Sequence, residues 1–142
     1  MKPATFHLAP VDGIITVAVG HTPPGHVHRP DETYCAYFWL SQLGPTSYLA
    51  WKHLAAWTTD DETATVAINY DELARSLGTS PGRLTKALQR LAGFHLAYTL
   101  PSQPDTLYVK RRAPTLSPGQ LTRLAERCPT LAACHDEQQH AA

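Results

Sequence analysis

A chain of 142 residues and 15.6 kDa is long enough for one domain with a real core and too short for two enzyme-sized domains. Hydrophobic residues at 43% and charged residues at 17% exclude a disordered tail, a collagen and a charged coiled coil. The 12 basic and 12 acidic side chains cancel, no apolar run approaches ~18 residues, and MKPATFHLAPVDG has no secretory signal pattern, so a cytoplasmic protein with no membrane partner is expected.

The stretch from about residue 11 to 19, VDGIITVAV, alternates and is rich in Val and Ile, as a strand or one half of a hairpin should be. GHTPPGHVHRPDE follows as a Pro-rich loop, and YCAYFWLSQL at 34–43 reads as a short helix or helix-like packing, with a buried strand as the other possibility. Residues 1–43 thus form an N-terminal extension. Pro45 suits a first helical turn, and Tyr48, Leu49, Trp51, Leu54, Ala55 and Trp57 carry helical spacing to about residue 57. TTDDET is a polar turn, and TVAIN at 65–69 alternates as a short strand.

Asn69 can cap a helix carrying Leu73, Ala74 and Leu77, with Glu72 completing a capping-box pattern. Gly78 stops it. Ser80 and Pro81 start the next helix, whose Leu84, Ala87, Leu88 and Leu91 recur at three- and four-residue spacing to about residue 92. Two helices joined by a tight GTS turn have the shape of a helix-turn-helix. HLAYTL at 95–100 and TLYVKRR at 106–112 then form a hairpin around the turn PSQPD. The expected fold is mainly α with a small β hairpin: a winged helix-turn-helix over 44–113. A C-terminal helical segment over 114–136 and a frayed tail from 137 follow.

Charge is distributed unevenly along this order. Residues 71–128 hold nine basic side chains against four acidic ones, whereas residues 1–70 hold three basic and six acidic. A polyanion would be drawn to one region, the footprint expected of a nucleic-acid binder. With its leucines inward, the helix from Pro81 would expose Arg83, Thr85, Lys86, Gln89 and Arg90 to a major groove. Thr79 and Ser80 in the turn are expected on phosphate, and Lys110 and Arg112 on the second hairpin strand join the DNA-binding set. The hairpin turn itself has Ser102, Gln103 and Asp105 but no Arg or Lys. The expected function is sequence-specific binding of double-stranded DNA, with transcriptional regulation as its purpose and no catalysis.

The blocks LGPTSYLAWKHLA, YDELARSLGTSPGRLTKALQRLAGFHLA and VKRRAPTLSPGQLTRLAERCPTLAACH, within 43–135, resemble a family of small, largely uncharacterised winged-helix proteins of actinobacteria and their phages or mobile elements. The resemblance implies a DNA-binding domain without enzymatic activity. This chain departs from the pattern at Phe94-His95-Leu96, where the family has glycine in the middle position.

Competing motifs are weaker. Gly20, His26, His28 and Glu32 fit the first metal motif of the cupins, but Trp39 stands where its next glycine belongs and no second block follows. Cys35, Cys128 and Cys134 include no Cys-x-x-Cys pair, so neither a disulfide scaffold nor a zinc knuckle with His135 and His140 is expected, and buried free thiols are. No Gly-x-Ser-x-Gly elbow or phosphate loop occurs, and no cofactor or metal is expected. The aromatics crowding 34–57 exceed what a small core needs. Tyr34, Tyr37, Phe38, Trp39 and Tyr48 are therefore expected to anchor an interface, in a homodimer on a palindromic site or, alternatively, in a protein-interaction module docking on a host regulator or polymerase.

Overall fold

A computed structural model of the chain describes residues 6–58 and 65–141; the expected TTDDET turn lies largely outside them. The architecture is mainly helical with a small mixed sheet. Its strands are β1 (Ile14–Val19), β2 (His26–His28), β3 (Thr65–Asn69), β4 (Ala97–Leu100), β5 (Gln103–Val109) and β6 (Ala113–Pro114). Its helices are α1 (Leu40–Leu43), α2 (Pro45–Trp57), α3 (Tyr70–Ser76), α4 (Pro81–Gly93), α5 (Pro118–Arg127) and α6 (Pro129–Ala141). A π-helical stretch, Cys35–Trp39, runs directly into α1. α6 continues through the stretch expected to fray.

The main sheet has the order β3-β1-β5-β4. β1 begins from a two-residue Asp-Gly turn in which Val11 and Ile14 exchange both backbone hydrogen bonds at 2.9 Å, with Asp12 at φ 52° and Gly13 at φ 78°. Emerging from that turn, β1 pairs antiparallel with β3 (Ile15 opposite Ile68) and parallel with β5 (Thr16 opposite Thr106, Val19 opposite Val109). The N-terminal stretch is thus the inner strand that joins β3 to the hairpin. Residue 43 is no break in the packing, because Ile15, Val17, Tyr34, Phe38 and Trp39 share one core with Leu54, Leu84, Leu88 and Leu107.

β4 and β5 form the expected hairpin, with Ala97 opposite Val109 and Leu100 opposite Gln103, so the turn is only Pro101–Ser102. β5 starts earlier than its apolar pattern suggests. Pro104, read as a turn residue, is tolerated near the free start of the strand, where its carbonyl accepts from Ala9 N at 2.7 Å. A second, two-stranded sheet pairs β2 with β6.

Apart from Tyr37, the aromatics of 34–51 pack inside, and their polar ends bond mainly to main chain. Trp39 Nε1 donates to Pro114 O at 2.9 Å, Trp51 Nε1 to Lys110 O at 2.8 Å and Tyr48 Oη to Pro30 O at 2.6 Å. Tyr34 Oη accepts from Leu116 N at 2.9 Å and shares a 2.7 Å hydrogen bond with His135 Nε2. The segment 110–116 is therefore held by indoles and a phenol, each satisfying a group that would otherwise be buried unpaired.

Candidate nucleic-acid interface

α3 begins with Asn69, whose side chain accepts from Glu72 N at 3.0 Å, and ends in Gly78 at φ 69°. The chain turns sharply there: Gly78 N reaches Arg75 O and Thr79 N reaches Ala74 O, each at 3.0 Å. Ser80 then caps α4 by accepting from Arg83 N at 3.3 Å, and Pro81 occupies its first turn. Leu84, Leu88 and Leu91 are wholly buried along one side of α4. Arg83, Lys86, Gln89 and Arg90 are exposed on the other, and α4 contains no acidic residue. The spacing of Arg83, Lys86 and Arg90 aligns them along one helical stripe.

Not every expected contact residue is available. Thr85 Oγ1 donates to Pro81 O at 3.0 Å and lies 2.7 Å from Tyr70 Oη, so its hydroxyl joins the start of α3 to α4. Arg90 donates to Gln42 O at 2.8 Å, and its guanidinium carbon lies 5.7 Å from the centre of the Phe94 ring, which ties the far end of α4 to α1. Thr79 is half-buried and Ser80 is exposed. Arg83, Lys86 and Gln89 are left as the outward group on α4.

Lys110 and Arg112 lie elsewhere. Lys110 N donates to Leu96 O at 2.9 Å, which puts it at the base of the hairpin beyond the C-terminal end of α4. Arg83 is ten residues before Gly93, about 15 Å along the helix. Burial pushes the Lys110 ammonium below its usual range. Arg112 is exposed and, with Arg111, faces the loop between β1 and β2. Sequence spacing alone did not separate these positions from α4, because the pairing of 109–114 with residues 20 and 26–28 is long-range.

Of the aromatics expected at an interface, Tyr34, Phe38, Trp39 and Tyr48 are at most 7% exposed, while Tyr37 is 55% exposed. The cysteine expectation is corrected. Cys35 is buried, and burial drives its thiol up to about 12, but Cys128 and Cys134 are exposed because α5 and α6 pack on the body by one side only. Among the described residues no group of three His, Cys, Asp or Glu side chains comes together as a metal site. His28 instead stacks on Tyr34 at 3.7 Å, hydrogen-bonds Thr115 Oγ1 at 3.0 Å and faces Glu32 at 3.7 Å. His135 turns inward against Phe38.

Family models, curated proteins and solved structures contain no match to this chain. No helix among the described residues is long and apolar enough to cross a membrane.

Proposed function

We propose that the chain is a winged helix-turn-helix protein that binds double-stranded DNA in a sequence-specific manner, with α4 in the major groove and transcriptional control as its role. One observation carries this reading: a capped helix, locked to its predecessor by a glycine turn, buries its leucines and presents Arg83, Lys86 and Gln89 from a helix that contains no acidic residue. Arg suits guanine O6 and N7, Gln suits adenine N6 and N7, and Lys suits phosphate or guanine. The order α2, β3, α3, α4, hairpin fits a winged helix, with β1 added inside its sheet. The Pro101–Ser102 turn has no cation, so the hairpin supports α4 more than it grips DNA. The likeness to the small actinobacterial and phage winged-helix proteins belongs to the same proposal.

A pure protein-docking role has less behind it, since four of the five aromatics it would use are packed in the core. A homodimer on a palindromic site remains part of the DNA reading, because two-fold symmetry would present two copies of α4 one helical turn apart. The test is duplex binding by Arg83→Ala and Lys86→Ala with circular dichroism as a fold control. Arg83→Ala is expected to weaken a selected site by roughly 1–3 kcal/mol and relax its preference at one position. Undiminished binding by both variants contradicts the assignment.

A further inference from the structure

The loop joining β1 to β2 is fastened at both ends to one facing segment. At its start Gly20 N donates to Val109 O at 2.8 Å and His21 N to Tyr98 Oη at 3.1 Å. A Cβ at Gly20 would lie 3.1 Å from Tyr98 Cε1 and 3.2 Å from the Val109 carbonyl carbon, so this approach fits glycine best. At its end His26 and His28 pair with Pro114 and Ala113. Between these fastenings residues 21–25 and Arg111–Arg112 frame a cavity of about 600 Å³.

The wall of that cavity is cationic. Arg29, Arg111 and Arg112 line it together with His21 and His26, and no Asp or Glu does. Val19, Pro23, Pro24 and Val27 supply an apolar side. Arg29 makes a 3.5 Å pair with Asp31, but both side chains are more than half exposed, so water screens that pair strongly. His26 Nδ1 is a buried polar atom without a hydrogen-bond partner among the described residues, the kind of group that calls for a ligand or an ordered water. Burial and then the Lys110 charge hold that imidazole below its usual range, while the main chain of Arg112 pulls the other way; the neighbouring lysine adds to the positive field of the site.

We infer that this cavity is a binding site for a small phosphorylated molecule, its phosphate held by Arg112, Arg111 and Arg29 and its organic part against Pro23, Pro24 and Val27. Guanidiniums and imidazoles lining one cavity suit a phosphate dianion, and the volume falls within the ~300–1,000 Å³ common for small-ligand pockets. The site lies beyond the C-terminal end of α4 and does not need α4 to read DNA.

The test is titration of the full chain with inorganic phosphate and with a nucleoside monophosphate, followed by amide NMR shifts. Saturable shifts confined to residues 19–29 and 109–114, tighter for the monophosphate, are expected. Arg112→Gln should weaken binding at least tenfold, and the exposed Arg29→Gln gives a second variant that does not disturb the core. Lys86→Gln should leave phosphate binding unchanged. Non-saturating shifts, or equal binding by wild type and both arginine variants, overturn the site. It is also overturned if the arginine variants lose duplex binding and phosphate never saturates, because the cavity would then seat the DNA backbone. Saturable phosphate binding in a chain with no duplex preference would sustain this site while removing the DNA reading.

Discussion

His95 holds φ 61° in the turn between α4 and β4, the left-handed region that costs a residue with a Cβ about 1–2 kcal/mol. His95→Gly should therefore raise the midpoint of thermal unfolding by roughly 3–5 °C, checked by a melt followed at 222 nm. Unchanged stability would mean that the imidazole offsets the strain. Trp39 behaves oppositely. It is 1% exposed with its indole N–H on Pro114 O, so Trp39→Phe removes a donor from a buried carbonyl and should cost about 1–3 kcal/mol in denaturant unfolding. Aromatic crowding in 34–57 was legible as a feature, but its use was not: the polar groups these rings pair with lie 59 to 101 residues away or, for Tyr48, on Pro30.

Elements whose signals are local could be read from the chain, and those set by distant pairing could not. Pro45, Asn69, Gly78, Ser80 and Pro81 mark helix ends by backbone chemistry that acts within four residues, and α2, α3 and α4 begin where those residues place them. Ser117 and Gln120 likewise close a reciprocal capping box at the start of α5. β1 was recognisable as a strand, yet its place between β3 and β5 depends on partners far along the chain. Sequence reasoning placed Lys110 and Arg112 on the second hairpin strand, but that strand ends at Val109 and both residues fall in the segment after it, at the hairpin base. At this scale Ser80→Ala should destabilise the protein by about 1 kcal/mol and loosen the first turn of α4, seen as faster amide exchange at Arg83. Protection at Arg83 equal to wild type would show that Pro81 and packing hold that turn alone.

At the scale of the molecule three histidines are built into the packing: His26 pairs in β2, His28 stacks on Tyr34 and His135 hydrogen-bonds the Tyr34 hydroxyl. Burial lowers the affinity of His26, His28 and His135 for a proton below the ordinary value of 6.5. Around His135 stand Tyr34, Phe38 and His28, with Asp136 opposing the shift; Glu32 opposes it at His28, and Lys110 reinforces it at His26. A base with a depressed folded pKa loses no stability above the unfolded pKa, and loses it as pH falls below 6.5, where the unfolded chain takes up protons first. Unfolding midpoints should be flat above about pH 7 and decline toward pH 5. His135→Gln should flatten that decline, and a midpoint that rises on acidification contradicts the assignment.

Charge distribution also bears on function, because one group of cations lies on the outward face of α4 and a separate one lines the cavity at the hairpin base. Binding of duplex DNA by α4 is the central claim. Its most direct test is a salt titration of the purified chain against a duplex selected from a random pool and a matched unselected duplex. Expected are a reproducible selected half-site, at least ~10³-fold preference, and a log-affinity slope against log salt that falls by about one in Lys86→Ala. Equal affinity for both duplexes, with no site enriched, would contradict it.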